Sequence, residues 1–579
     1  MTMESMYAHY NLILLALKPF FFLFFFSITF SHVTHLSLHH YHYHHHYHHN
    51  HHYHLSLHNS APSSTTYNKS RQRLYCKYLL RPQNLPHYRL LDPLLPNRHR
   101  LLDWYTELVA ASPTQTIAVR RLGARRTVVT ANPANVEHVL KSNFANYPKG
   151  RPFTDILGDL LGRGIFNADG ALWHAQRKLA SHEFSVRSLR RFVAGELAAE
   201  TRHRLLPALA AAARDRHAVD IQDLLRRFAF DTVCQVALGW DPHYLDPSSP
   251  TPPESDLADA FEAASAISAR RGSAPVAFVW KVKRALRIGS ERRLRRAVAL
   301  IRSSISDLIQ RRRDEIKKNN KGNIEKYKDL LSRLILEGHD DDTVRDMAVS
   351  FVVAGRDTTP AALTWLFYLL SGHARAESEV AREVGQRHGA LEYEALKELK
   401  VLEASIYEAM RLYPPVVWDS KHAERADVLP DGTKIEAGDR VTYFPYGMGR
   451  MESLWGDRWH EFEPRRWLTT TSESGCCSSS SSSSSNSDGG GVDGDQVAVV
   501  RVSAYRYPVF QAGPRVCMGK EMAIAQMKYV TAAVLGRFEL RRAAEAEEEG
   551  PGTPRGGGAA AHGAHGGGLR MMVVERGRR

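Results

Sequence analysis

The segment from Asp341 to Leu370 places the strongest constraint on the fold. Its first residues, Asp341-Asp342-Thr343, carry side chains that commonly cap a helix N-terminus. The apolar sequence that follows continues for about 28 residues, roughly 42 Å of α-helix. Four charged residues lie inside it: Arg345, Asp346, Arg356 and Asp357. Because charges within a bilayer are costly, the segment predicts a helix through the core of a large domain rather than a membrane span.

Sequence patterns elsewhere predict a mainly α-helical fold with small β-sheets. Apolar residues follow helical spacing from Leu101, and residues 116–119 and 126–130 have the composition of two short strands. The glycine-rich stretch 157–167 predicts a loop. Two strands followed by helices indicate a small β edge on an α-rich body.

The domain boundaries follow from shifts in composition. We expect a membrane anchor over residues 1–31, because the apolar run 12–30 is just long enough to cross a bilayer; a cleaved targeting peptide is the alternative. Residues 32–97 are rich in His and Tyr and predict a disordered linker and hinge. The other predicted units are one large domain at 98–579, its Ser/Gly-rich insertion at 469–496 and a low-complexity loop at 545–568.

Charge and cysteine usage limit the partners. The 579 residues include 77 Lys plus Arg against 62 Asp plus Glu, a net charge of +15. No stretch combines basic runs with base-stacking aromatic residues, so we expect no nucleic acid partner and favour an acidic protein or a membrane surface. The five cysteines, at positions 76, 234, 476, 477 and 517, suggest no disulfide framework and fit a reducing compartment.

Residues 510–519, FQAGPRVCMG, form a loop that suits a metal-binding thiolate at Cys517. Gly513 and Gly519 permit a tight backbone and close approach. The cysteine precedes an apparent helix, whose N-terminus favours negative charge, and Arg515 adds positive charge. Such a thiolate can hold haem iron; a buried structural cysteine is the alternative.

The same ten residues meet every fixed position of F-x-x-G-x-R-x-C-x-G. This is the haem-binding signature of the cytochrome P450 superfamily, and the chain resembles these haem-thiolate monooxygenases. The resemblance implies the cytochrome P450 fold and haem b with Cys517 as the axial thiolate. It also implies that Phe510, Gly513, Arg515 and Gly519 belong to the cofactor-binding loop.

Residues 354–360 of the long helix, AGRDTTP, are similar to the family's A-G-x-D-T-T pattern. We expect the small pair Ala354-Gly355 to let a flat cofactor and O2 approach the helix. A threonine hydroxyl can bond to an upstream carbonyl and open the helix locally, and Pro360 removes a backbone N–H and favours a kink. The resemblance implies that Asp357 and Thr358 relay protons; a polar kink without chemistry is the alternative.

Trp173 and Arg177 are four residues apart and so share one face of a helix. Indole N–H and guanidinium groups are donors suited to the two carboxylates at the edge of a porphyrin. The pair matches the family's propionate-binding helix, although W-x-x-x-R alone also fits an ordinary surface pair.

Glu408 and Arg411 resemble the family's E-x-x-R pair, whose charges meet an arginine from a later loop. That residue should be Arg466 in the sequence FEPRRW, where Arg465 stands in place of the usual glutamate. Three apolar residues follow the prolines after this helix and are candidates for the substrate wall: Val416, Val417 and Trp418. An apolar core strand is an equal alternative for them.

Finer features of stretches 157–167, 445–450 and 507–513 resemble the plant fatty-acid ω-hydroxylase branch. The resemblance implies NADPH- and O2-dependent hydroxylation of the terminal carbon of long-chain fatty acids. It further implies an endoplasmic reticulum membrane location, with one N-terminal anchor and a cytosolic catalytic domain. Animal ω-hydroxylases often bond haem covalently through a glutamate where this chain has Ala354, so we expect non-covalent haem.

Electrons are expected from NADPH-cytochrome P450 reductase, docked on a basic surface near Cys517 that includes Lys520, Lys528 and Arg515. Three alternatives remain. A jasmonoyl-amino-acid hormone also offers an alkyl tip and a carboxylate as substrate. A peroxide-rearranging haem enzyme and a non-enzymatic haem protein are the others, and neither needs the Asp357-Thr358 pair.

Overall fold

The structure is a computed structural model that describes residues 87–89, 97, 100–120, 124–247, 256–274, 276–318, 327–387, 390–470, 497–543 and 568–577. The predicted anchor, most of the predicted linker, Cys476, Cys477 and nearly all of the predicted low-complexity loop lie outside these residues. Thr469 and Thr470, the first residues of the predicted insertion, belong to a strand.

The described part of the chain is mainly helical, as the sequence predicts. Its α-helices are α1 Leu101–Ala110, α2 Pro133–Glu137, α3 Gly150–Leu161, α4 Gly170–Ser181, α5 Val186–Phe192, α6 Ala198–Glu200, α7 Leu206–Asp215, α8 Ile221–Leu238, α9 Asp256–Ser273, α10 Ala277–Leu286, α11 Gly289–Lys318, α12 Leu330–Leu336, α13 Asp341–Ser371, α14 Ala374–Gly385, α15 Tyr393–Lys397, α16 Lys400–Leu412, α17 Pro445–Met448, α18 Glu452–Trp455 and α19 Lys520–Leu535. Two π-helical segments, Val193–Leu197 and Thr201–Leu205, join α5, α6 and α7 into one helical run.

Small sheets lie beside the helices. The strands are β1 His87–Arg89, β2 Thr116–Arg120, β3 Thr127–Thr130, β4 Ala218–Asp220, β5 Asp419–His422, β6 Asp427–Val428, β7 Lys434–Ile435, β8 Arg440–Tyr443, β9 Leu468–Thr470, β10 Val497–Val499, β11 Phe538–Arg542 and β12 Arg570–Glu575. The larger sheet has the order β1-β2-β3-β8-β5, and a second sheet has the order β11-β12-β4. The remaining pairs, β9 with β10 and β6 with β7, are antiparallel. The larger sheet therefore joins β5, from the region after the predicted E-x-x-R helix, through β8 to strands from the start of the domain.

The long helix α13 runs through the core, which confirms the prediction. It has 31 residues, and its cap is Asp340 rather than the predicted Asp341–Thr343, because the Asp340 side chain accepts a hydrogen bond from the Thr343 N–H. Its N-terminal half packs in one apolar cluster with α8, α9 and α11, and its C-terminal half packs in another with α16 and α19. Among the described residues, no helix combines the length and the apolar character needed to cross a bilayer.

The predicted loop at 157–167 is wrong in its first part, because α3 continues to Leu161. Leu160 and Leu161 are buried in the cluster around α13, so tertiary packing stabilises the helix despite its glycine. Gly162 ends it with φ +52°, and a Cβ there would lie 2.1 Å from Asp346 Oδ2. The Arg163 N–H donates to the same oxygen at 2.8 Å. The turn after α3 is therefore fixed to α13.

Gly355 permits the close packing of α13 against α8. A Cβ at this position would lie 2.6 Å from Val233 Cγ2 and 3.0 Å from Val233 Cβ. A β-branched side chain on a helix cannot easily move aside. The expectation that Gly355 lets a flat cofactor approach is therefore wrong, because this glycine faces a neighbouring helix.

We expect Gly355→Ala to lower the free energy of unfolding. Overpacking costs about 1–3 kcal/mol, and this exceeds the gain of about 1 kcal/mol from replacing glycine within a helix. Urea unfolding of the single variants and of Gly355→Ala/Val233→Ala measures the effect. The double variant should recover about 1 kcal/mol relative to additivity, and strictly additive losses would contradict the contact.

Candidate active site

The loop before α19 holds Cys517 in a defined turn. Gly513 has φ +64°, and a Cβ there would lie 2.0 Å from the Leu140 carbonyl oxygen, so only glycine fits. The Cys517 N–H donates to the Phe510 carbonyl at 2.8 Å, and the Val516 N–H donates to the Gly513 carbonyl at 3.0 Å. The turn therefore presents Cys517 immediately before the first turn of α19.

The Cys517 residue reaches the surface, but its thiol lies among closely packed protein atoms. Burial by these atoms raises the pKa of the thiol. The Gly519 N–H and the charges of Arg177 and Lys520 act in the opposite direction. A Cβ at Gly519 would lie 3.9 Å from Cys517 Sγ and 3.4 Å from the Phe184 ring. Gly519 therefore keeps the space beside the sulfur open.

Arg515 does not supply the charge next to the thiol, so that expectation is wrong. Its Nη2 donates to Asp169 Oδ1 at 2.6 Å and to the Ala168 carbonyl at 2.9 Å. The Asp169 carboxylate pairs with this guanidinium, and Arg515 is not among the charges that shift the pKa of the Cys517 thiol. Arg177 takes this place, and its Nη2 donates to the Val516 carbonyl at 2.8 Å.

The structure brings Trp173, Arg177 and Arg515 together. Trp173 is buried on α4, and the guanidinium carbons of Arg515 and Arg177 lie 4.5 Å and 5.8 Å from the centre of its ring. A cation over an indole face is favourable. The aromatic ring therefore helps to hold both guanidinium groups beside the cysteine loop.

Two buried lysines extend this set of cations, and the sequence interpretation missed both. Lys149 Nζ donates to both oxygens of Asp419, at 2.8 Å and 3.0 Å. Lys421 is fully buried, makes no hydrogen bond through Nζ within the described structure, and lies 3.7 Å from Asp419 Oδ2. Burial and the charge of Lys149 lower the pKa of Lys421 far below its ordinary value. The Lys421 ammonium therefore lacks a sufficient anionic partner.

This group of charges fits a flat cofactor with two carboxylates. Arg515 is ion-paired with Asp169, Lys149 is ion-paired with Asp419, and Arg177 donates to the Val516 carbonyl. Lys421 Nζ is buried without a hydrogen-bond acceptor among the described residues, and a buried polar group without a partner is costly. The propionates of a porphyrin would supply acceptors for such donors, and Cys517 would supply a soft ligand of the kind that haem iron accepts.

The sequence of residues 419–421 contains a pattern that would have identified Lys421 as a neighbour of Asp419. Side chains two apart on a strand point to the same side, so Asp419 and Lys421 belong together once β5 is recognised as a strand. Lys149 gave no comparable signal, because its partner lies 270 positions away in the sequence.

The middle of α13 carries the predicted acid and alcohol. Thr358 Oγ1 donates to the Ala354 carbonyl at 2.8 Å, as expected for a threonine that opens the helix locally. The Asp357 carboxylate is ion-paired with the neighbouring Arg356. Both Asp357 and Thr358 are half-buried although they lie in the core helix, and the Asp357 side chain is 10% exposed.

Glu408 and Arg411 form a fully buried ion pair. Glu408 Oε2 and Oε1 accept from Arg411 Nε and Nη2 at 2.7 Å and 2.8 Å. Arg466 Nε donates to Glu408 Oε1 at 3.1 Å, as predicted, and Trp467 Nε1 donates to Oε2 at 2.8 Å. Burial alone would raise the pKa of Glu408, but the bonds and charge of Arg411 lower it overall. The structure thus brings the three predicted charges together.

Arg465 lies outside this network. Its side chain is exposed and its Nη2 donates to Glu379 Oε1 at 2.7 Å. The replacement of the usual glutamate by Arg465 therefore leaves the buried triad intact.

The predicted substrate wall is only partly accessible. Val417 is buried in the apolar cluster beside the larger sheet, where Trp418 contacts Tyr105 edge-on at 5.9 Å. Val416 is half-buried. Two residues expected on the docking surface are also buried: Lys528 is paired with Glu403, and Arg515 is paired with Asp169.

Comparison with known proteins identifies the family of this chain. The sequence pattern described as Cytochrome P450 matches residues 110–554. The chain belongs to the cytochrome P450 family. It is 50% identical over 463 residues to cytochrome P450 94B1 of Arabidopsis thaliana, covering 79% of this chain and 86% of that protein. It is 52% identical over 460 residues to cytochrome P450 94B3 of Arabidopsis thaliana, with coverage of 79% and 86%. It is also 43% identical over 445 residues to cytochrome P450 94A1 of Vicia sativa, with coverage of 77% and 82%.

Membership confirms several predictions. The protein has the cytochrome P450 fold, is a monooxygenase of this family, and uses a haem-thiolate cofactor. The relatives also confirm the predicted plant branch, that of the fatty-acid ω-hydroxylases.

We expect Arg466→Ala to destabilise this P450 by about 2–3 kcal/mol, because it leaves a fully buried Glu408 oxygen with one donor fewer. Arg465→Ala removes only an exposed pair, worth about 0–1 kcal/mol, and is the matched control one residue away. Urea midpoints measure both. Equal losses in the two variants would contradict the distinction.

We expect Lys421→Met to lower the haem content of the purified P450 severalfold, whereas Lys421→Arg retains it, because only the first removes a cation facing the carboxylates. The ratio of haem absorbance to protein absorbance measures the content. Full haem content in Lys421→Met would show that the lysine has no such role.

Proposed function

We propose that the protein is an NADPH- and O2-dependent haem-thiolate monooxygenase that hydroxylates the terminal carbon of long-chain fatty acids. The observation that carries the proposal is the arrangement around Cys517: the cysteine loop lies beside the side chains of Arg177 and Arg515, and Lys421 Nζ is buried without a hydrogen-bond acceptor among the described residues. Asp357 and Thr358 add an acid and an alcohol on the core helix. Family membership gives the reaction class, and the 50–52% identity to plant relatives supports the substrate class.

In this proposal Cys517 Sγ would bind the iron of haem b. Trp173, Arg177, Arg515 and Lys421 would bind its propionates. Gly513 and Gly519 keep the loop close and the space beside the sulfur open, and Phe510 supports the turn through its carbonyl. Haem supplies the activation of O2 when bound. Ala354 has no carboxylate that could form an ester, so the haem is held without a covalent bond.

Proton delivery is assigned to the chain's own residues. The Asp357 carboxylate takes up a proton and releases it toward Thr358 Oγ1, the hydroxyl that donates to the Ala354 carbonyl. A carboxylate and a hydroxyl at one opening of the helix are suited to general acid–base work.

The substrate is an apolar chain whose end reaches the reactive centre. Terminal attack needs a narrow passage, since the methyl C–H is the strongest bond in the chain. Val416 and Trp418 are the accessible members of the candidate wall, and Val417 supports them from the core.

Electrons come from NADPH-cytochrome P450 reductase in this proposal. Its docking surface surrounds the cysteine loop and includes Lys520, which is half-buried. The net charge of +15 favours an acidic partner. We place the protein on the endoplasmic reticulum membrane, held by residues 1–31, with the catalytic domain in the cytosol.

Product analysis tests the proposal. Purified protein with reductase, NADPH and dodecanoic or oleic acid should yield ω-hydroxy products by mass spectrometry, and jasmonoyl-isoleucine is assayed in parallel. Turnover of the conjugate alone would overturn the fatty-acid assignment. Isomerisation of an added fatty-acid hydroperoxide without NADPH, O2 or reductase, with no ω-hydroxy product from the fatty acids, would indicate the rearranging class instead.

Cofactor chemistry has its own test. We expect Cys517→Ser to lose the carbon monoxide spectrum typical of thiolate ligation, because a hydroxyl does not replace the thiolate. Acid-acetone should extract the haem from the wild-type protein completely. A normal thiolate-type spectrum in Cys517→Ser would contradict the axial ligand, and haem retained on denatured protein would contradict non-covalent binding.

A further inference from the structure

Arg356 occupies the variable position of the 354–360 segment, and two carboxylates share its guanidinium. The side chain is 7% exposed. Its Nη1 is ion-paired with Asp357 Oδ1, and its Nη2 donates to Glu262 Oε2 at 2.8 Å. The Ala258 carbonyl accepts a longer contact from Nη2 at 3.4 Å. The position of the Asp357 side chain is therefore linked through Arg356 to Glu262.

Glu262 connects this pair to the edge of the domain. It lies on α9 with its side chain 48% exposed, and the same Oε2 accepts from Arg226 of α8. Four charges of alternating sign therefore run from the surface to the core helix: Arg226, Glu262, Arg356 and Asp357. Their sum is zero, and they come from three different helices.

We propose that Glu262 is a positioning residue for Asp357, an inference that rests on the proposed function. Glu262 accepts a hydrogen bond from Nη2 of Arg356. It therefore prevents Asp357 from binding Nη1 and Nη2 of that guanidinium with both of its carboxylate oxygens, an arrangement called two-point pairing here. Two-point pairing fixes a carboxylate and favours its ionised form. A carboxylate that relays protons has to accept a proton and then release it. Because Glu262 shares the Arg356 guanidinium, Asp357 remains able to do both.

Removal of the Glu262 charge has a predictable consequence. In Glu262→Gln, Arg226 and Arg356 face Asp357 without a second anion, so Asp357 is held more tightly. We expect kcat for dodecanoic acid to fall about tenfold and the H2O/D2O solvent isotope effect on kcat to rise. KM should stay within twofold, because none of these residues belongs to the candidate substrate wall.

Three variants distinguish this positioning role from a nonspecific loss of structure. Glu262→Asp keeps the charge and should restore at least half of the wild-type kcat. Asp259→Asn changes an exposed acid one turn earlier on α9 and should leave kcat unchanged. Arg226→Gln removes the second arginine that binds Glu262 but keeps the bond between Glu262 and Arg356, so kcat should stay within twofold. A loss of kcat that Glu262→Asp does not restore would overturn the proposal.

A measurement without turnover tests the contact itself. In urea unfolding, the cycle of Glu262→Gln, Arg356→Gln and the double variant should show coupling of about tenfold in the unfolding constant. Additive effects would overturn the link. If the wild type makes no ω-hydroxy product, the proposed function fails while this cycle still reports on the link. If the wild type turns over and Glu262→Gln has a normal kcat and isotope effect, the positioning role is wrong.

Discussion

Two carboxylates beside the cysteine loop, Asp169 and Asp419, are the constraint on which the rest of the site depends. Asp169 accepts from the backbone N–H groups of Lys149 and Gly150, both at 3.0 Å, and from Arg515. Asp419 binds Lys149 and the Gln511 side chain. Each carboxylate therefore ties a distant segment to the cysteine loop and holds a basic side chain at the place where these segments meet.

The buried Glu408–Arg411 pair stabilises a different part of the structure. Taking two charges fully out of water costs several kcal/mol per ion unless each polar atom is satisfied. Arg411 donates to the carbonyls of Gly449, Trp459 and Glu461 as well as to Glu408. Those carbonyls belong to the segment from 449 to 467, which also contains α18 and several internal turn hydrogen bonds. The buried pair therefore fixes this segment against α16.

Sequence reasoning succeeded where the chemistry is local. The cysteine turn, the acid and alcohol of α13 and the E-x-x-R spacing each lie within ten residues, so motif and helix geometry suffice. It failed where a partner is remote. Gly355 was assigned to the cofactor because its neighbour Val233 is invisible in sequence, and Lys149 was missed because Asp419 is far along the chain. The charge of Arg515 is evident from the sequence, but its ion pair with Asp169, 346 positions away, is not. The short strand β11 was missed as well, because its pairing partner β12 follows a long intervening segment.

The centre of α13 combines rigidity with an opening in the backbone. Its apolar faces pack against α8, α16 and α19, which fixes the axis of the helix. Pro360 has no N–H to donate to the Arg356 carbonyl, and Thr358 Oγ1 adds a second donor to the Ala354 carbonyl. These two changes weaken the regular backbone hydrogen bonds within one and a half turns, while the ends of the helix stay packed in the apolar core. The backbone hydrogen bonding of α13 is therefore altered next to Asp357 and Thr358, while the helix itself continues from Asp341 to Ser371.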